Sequence, residues 1–136
     1  MTPAKRAVIL DSGAISAIAA GDLRARAILV RARREGRDVV IPAPVLTEVH
    51  TGRRDHALID RVIKGVDREI ATTPERAREA GVLRARSGVT SVVDAIVMAE
   101  AVAMGAATII TSDPGDMERL RDAAGLTRRD IEIVTV

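Results

Sequence analysis

The chain has 136 residues, of which 47% are apolar and 29% charged, with 21 basic residues against 19 acidic ones. That is one soluble globular domain over 1–136, too long to be a peptide and too short for two domains. Cysteine is absent and there are only two histidines, His50 and His56. Disulfides, thiolate metal sites, cysteine nucleophiles and a three-histidine zinc site are therefore excluded. Phe, Tyr and Trp are absent as well, so this chain has no aromatic platform on which bases can stack.

The start of the chain carries Lys5 and Arg6 before the apolar run Ala7–Leu10, which ends at Asp11. That run is too short for a signal peptide, and no apolar stretch approaches the roughly 20 residues of a membrane span. A cytoplasmic protein is the expectation. Ala7–Leu10 itself is predicted as a buried parallel strand. Ser12-Gly13 turns the chain into a short helix, Ala14–Ala20, stopped by Gly21. Asp22 caps a helix over about Leu23–Glu35, with its apolar positions at Leu23, Ala27, Val30 and Ala32. The second strand is Asp38–Ile41, closed by Pro42.

Pro44 starts a short helix, Val45–Thr51. Gly52 and Arg53-Arg54-Asp55 separate it from a helix over about His56–Lys64. Val66–Thr72 is a weak third strand, interrupted by Asp67, Arg68 and Glu69; such charges suit a sheet edge. Thr73 and Pro74 open a helix that runs to about Arg86. Ser91 caps the next, Val92–Met104. Ala107–Thr111 is the fourth strand, Asp113-Pro114 starts a helix to about Ala124, and Ile131–Val136 is the last strand. Strands and helices alternate, which gives an α/β architecture with a mostly parallel sheet covered on both faces.

Sites in such sheets lie beyond the carboxyl ends of the strands. Asp11 follows the first strand directly, and Asp113 follows the fourth after Thr111-Ser112. Glu48, Asp94 and Asp116 come from helices. Convergent carboxylates repel one another, and burying them unpaired is costly. A hard divalent cation with oxygen ligands, Mg²⁺ or Mn²⁺, resolves this, and such ions serve phosphoryl chemistry. Each acid also has a structural reading. Asp11 and Asp113 are placed as helix caps, Ser91-x-x-Asp94 resembles a capping box, and Glu48 suits an exposed helix face.

Four segments together resemble the PIN-domain family, specifically its single-domain VapC-like ribonuclease toxins. They are Val8–Ile15 with Asp11, Pro42–Val49 with Glu48, Ser91–Ala99 with Asp94, and Ala107–Met117 with Asp113 and Asp116. The resemblance implies a three-layer α/β/α PIN-like domain with a five-stranded sheet in the order 3-2-1-4-5. That order sets the first and fourth strands side by side. It further implies Mg²⁺- or Mn²⁺-dependent RNA cleavage, a homodimer, and a cognate antitoxin protein as partner. Asp11, Glu48, Asp94 and Asp113 are then the catalytic acids, with Asp11, Asp94, Asp113 and Asp116 holding metal. An aromatic residue common in that family after the last acids is replaced by Met117, which can fill the same apolar space.

Thr111 and Ser112 carry hydroxyls close to the site and are candidates to bind the ion or a phosphate, or simply end the strand; Arg53, Arg54, Arg24 and Arg26 are candidates for contacts with the RNA backbone. Phosphate contacts by arginine make binding weaken with salt. His50 and His56 read either as substrate contacts or as polar positions around a turn, the second being the plainer reading. Other acid-bearing folds fit less well. A phosphate-receiving regulator needs paired acids after the first strand and a lysine after the last, and an Asp-x-Asp phosphatase needs a second acid where Gly13 stands. The remaining alternatives are a PIN-like module that binds RNA or protein without cleaving, and a DNA or flap-type nuclease.

Overall fold

A computed structural model describes residues 5–136. Of the basic N-terminal stretch, residues 1–4 lie outside the described part. The strands are β1 (Ala7–Leu10), β2 (Val39–Pro42), β3 (Arg68–Ile70), β4 (Ala107–Thr111) and β5 (Ile131–Thr135). The helices are α1 (Ser12–Ala19), α2 (Leu23–Arg34), α3 (Leu46–Val49), α4 (Ala57–Lys64), α5 (Pro74–Ser87), α6 (Val92–Ala103) and α7 (Pro114–Ala123). Single 3-10 turns at Ala43–Val45 and Arg54–His56 lead into α3 and α4.

The five strands form one sheet in the order β3-β2-β1-β4-β5, and every pairing is parallel. Helices α1 to α4 cover one face, with α1 packed on α2, α3 and α4; α5, α6 and α7 pack on one another across the other face. The result is three layers, α/β/α. The central strands β1, β2 and β4 are nearly continuous runs of buried Val, Ile, Leu and Ala. Parallel strands covered on both faces need such runs, because neither face meets water. Met98, Met117 and Leu120 are among the fully buried side chains that fill the layer beneath α6 and α7. Met117 thus occupies apolar space without an aromatic ring.

Several expectations change in detail. The third strand shrinks to Arg68–Ile70, and it is the edge strand, with Arg68 and Glu69 exposed. The predicted helix Val45–Thr51 ends at Val49, since His50 is already extended. The apolar face of α2 is a correction. Ala25, Leu29 and Ala32 are buried, whereas Leu23 is 83% exposed and Val30 47%. Two stripes at helical spacing exist on α2, and that of Ala25, Leu29 and Ala32 faces the core. No described helix is long and apolar enough to cross a membrane.

Candidate metal centre

The sheet order reverses between β1 and β4, so a crevice opens where α1 and α7 leave in different directions. Leu10 sits opposite Ile110, and the Asp11 N–H donates to the Ile110 carbonyl at 3.2 Å. Asp11 therefore emerges beside Thr111. It is buried and caps α1, its Oδ1 accepting the Ala14 N–H at 2.8 Å. Burial raises its pKa above the usual aspartate value, with Glu48 adding to the rise. The Thr111 hydroxyl and the α1 amides work in the other direction.

Asp94 sits in the first turn of α6, where Ser91 caps the helix by accepting the Asp94 N–H at 3.1 Å. A helix N-terminus favours a carboxylate. Here burial and repulsion win: the Asp94 pKa is pushed up to about 6 by desolvation first, then by Asp11, Glu48 and Asp116. Asp94 is the position at which the acids of four separate segments meet.

Asp113 stands at the N-cap position of α7, yet its side chain bonds none of the helix amides. It is exposed, and its carboxylate is left for other work. Asp116 follows in the first turn of α7 and pairs with Arg119. Asp94, Asp113 and Asp116 each offer an oxygen, and these oxygens lie within 4.8 Å of one another. That is a span a single cation can bridge. The triad consists of three of the four acids that the resemblance gives as metal ligands, Asp116 among them. Asp11 stands outside the triad, and one of its oxygens accepts the Ala14 N–H of the α1 cap. Glu48, on α3, is exposed and acts on Asp11 and Asp94 through charge.

The remaining candidates lie in different places. Thr111 is fully buried, and its Oγ1 accepts the Asp113 N–H at 2.9 Å. Ser112 is exposed and lies against Gly13. Arg53 makes two hydrogen bonds to Asp55, and Arg54 is exposed beside it. Arg26 donates to the Ile18 carbonyl and lines a groove with Leu29 and Leu58, while Arg24 borders a cavity with Thr108 and Glu132. Those two line spaces other than the acidic crevice. His50 pairs with Asp60 and His56 with Thr51. The tight approach of Gly13 to Ser112 had one sequence signal, a glycine placed just after a strand-end acid.

The donor set suits a hard divalent cation: carboxylate oxygens only, no sulfur, and charge that burial makes costly without a counter-ion. A family model described as the PIN domain matches residues 8–123. The chain belongs to the PIN domain family. Solved structures share the fold at low identity. A toxin–antitoxin complex from Klebsiella pneumoniae matches with a TM-score of 0.64 and 19% identity, over 81% of this chain and 89% of that one. VapBC2 from Rickettsia felis, bound to a DNA fragment from its promoter, matches with a TM-score of 0.69 and 16% identity, over 93% and 97% of the two chains. FitAB bound to an IR36 DNA fragment matches with a TM-score of 0.66 and 19% identity, over 93% and 94%. No curated protein matches the chain.

Proposed function

We propose that this protein is a divalent-metal-dependent endoribonuclease and the toxin of a toxin–antitoxin pair. The observation that carries the reading is the convergence of Asp94, Asp113 and Asp116 on one cation-sized space at the β1/β4 crevice. PIN-family membership and the toxin–antitoxin complexes that share the fold support it.

In this reading Asp11, Asp94, Asp113 and Asp116 hold Mg²⁺ or Mn²⁺. A divalent ion there supplies charge neutralisation at a phosphodiester and lowers the pKa of water. Asp94 would hold the ion from the first turn of α6, and Asp113 from the start of α7. Asp11 adds its charge from the buried floor, and Glu48 orients water from the α3 side. Thr111 offsets part of the rise in the Asp11 pKa and accepts the Asp113 backbone N–H. Arg53 and Arg54, on the loop after Glu48, bind RNA phosphates, and Ser112 at the rim meets the substrate. The partners are RNA, a cognate antitoxin and a second copy of the chain, and the place of action is the cytoplasm.

The test is cleavage of a panel of structured RNAs and matched DNAs by purified protein, with Mg²⁺, Mn²⁺ or EDTA, beside Asp94→Asn. Metal-dependent cleavage of RNA, lost in Asp94→Asn, is the expected result. Cleavage of DNA alone overturns the substrate assignment. RNA binding without cleavage at any metal concentration, by folded protein, replaces the enzyme with a binding module.

A further inference from the structure

Gly13 is the second residue of α1, and its backbone is not in the left-handed region that requires glycine. Helix propensity disfavours it, since glycine costs about 1 kcal/mol relative to alanine within a helix. The surrounding space accounts for it. A Cβ on Gly13 would overlap the Ser112 hydroxyl and would lie 2.6 Å from Ser112 Cβ and 3.1 Å from the Ser112 backbone nitrogen. The hydroxyl can turn aside. The Cβ and main chain of Ser112 yield only if the whole loop shifts.

That contact sits between two acids. Gly13 is two residues after Asp11, and Ser112 immediately precedes Asp113. The ladder between β1 and β4 aligns the strands as far as Leu10 and Ile110. Beyond it the chain leaves in two loops, one into α1 and one into α7. Gly13 and Ser112 are where those loops touch. We infer that Gly13 is a positioning residue: having no side chain, it lets the Ser112 loop seat against α1, which holds Asp113, the next residue, within reach of Asp94 and Asp116. This rests on the reading of the acidic cluster as a metal site.

The magnitudes make the contact consequential. Ordinary carbon–carbon contact is about 3.5–4.0 Å, so a methyl group at Gly13 drives the loops apart by roughly 1 Å. Mg²⁺ takes oxygens at about 2.0–2.1 Å in near-ideal geometry. A shift of that size carries one carboxylate out of reach.

The experiment is an electron paramagnetic resonance titration of Mn²⁺ into wild type, Gly13→Ala, Ser112→Gly and the double variant, with Tm measured in EDTA. Gly13→Ala is expected to weaken Mn²⁺ binding by about tenfold or more, and Ser112→Gly in the same chain is expected to restore it. Ser112→Gly alone is expected to keep near wild-type affinity. Unchanged binding in folded Gly13→Ala overturns the positioning role alone. So does a loss that the double variant does not recover, or a loss in Ser112→Gly alone, which would make Ser112 a ligand. If Gly13→Ala does not fold, the double variant decides: Mn²⁺ bound at near wild-type affinity upholds the role, and unbound Mn²⁺ overturns it. Absence of Mn²⁺ binding by wild type overturns the metal reading and the positioning role together.

Discussion

The Thr111 hydroxyl accepts the Asp113 backbone N–H at 2.9 Å while facing the Asp11 carboxylate, whose charged form it stabilises. One buried hydroxyl thus ties acids from two different strand ends. Thr111→Val keeps the shape and removes both the acceptor for the Asp113 N–H and the hydroxyl that favours the Asp11 carboxylate. The expected result is a loss of about 10–100-fold in Mn²⁺ affinity, with a stability cost of about 1–3 kcal/mol from the unpaired groups. Thr111→Ser keeps the hydroxyl and stays near wild type. Calorimetric titration and chemical denaturation of the three proteins check this.

Asp11 caps α1, and in the proposed function it is also a catalytic acid; substitutions separate the two roles. Asparagine caps helices about as well as aspartate, whereas alanine in place of a capping residue costs about 1 kcal/mol. Asp11→Asn is expected to abolish RNA cleavage at unchanged Tm. Asp11→Ala is expected to abolish cleavage and lower stability by about that amount. Cleavage by purified Asp11→Asn at the wild-type rate would remove Asp11 from the catalytic set.

The raised pKa of Asp94 sets the sign of a pH dependence. With a folded value of about 6 against 3.8 for the free side chain, the folded state holds the proton more tightly than the unfolded one. Stability from this group is complete below the unfolded value and is lost as pH rises through about 6. In EDTA, Tm is therefore expected to fall between pH 5 and pH 7. Asp94→Asn should flatten that fall and raise Tm at pH 7. Mn²⁺ should lift the wild-type Tm more at pH 7 than at pH 5, because ligand binding stabilises by mass action and needs the ionised carboxylate. Thermal denaturation across this range, with and without Mn²⁺, measures all three.

Away from the crevice, Glu100 is buried in the apolar run of α6 and pairs with Arg76 of α5 at 3.3 Å. Arg76 also bonds Glu79 at 2.6 Å. Removing one partner of a buried pair strands the other charge. Arg76→Ala is expected to cost about 3 kcal/mol, read by denaturant unfolding. Adding Glu100→Gln should recover part of the loss, since the stranded group is then neutral.

Much of this site was legible from the chain. Asp11 stands directly after a run of buried β-formers and Asp113 one residue beyond another, and a strand end in a parallel sheet is a defined place. Asp94 was legible from Ser91, whose cap puts the acid in the first turn of α6. The face of α2 was not, because two stripes of similar spacing compete and only the sheet beneath selects Ala25, Leu29 and Ala32. Glu100 was passed over inside an apolar helix, because its partner Arg76 lies on another element.

The sequence by itself determined the alternation of strands and helices, the caps at Asp11, Asp22, Thr73 and Ser91, and the identity of the acids. These follow from local periodicity and from groups within a few residues of one another. Tertiary structure decided which oxygens converge. It placed Asp116 with Asp94 and Asp113, left Asp113 uncapped, and brought Gly13 against Ser112. Those outcomes depend on the angles at which α1, α6 and α7 leave the sheet. Packing between layers fixes such angles to fractions of an ångström, and no local pattern in the chain encodes them.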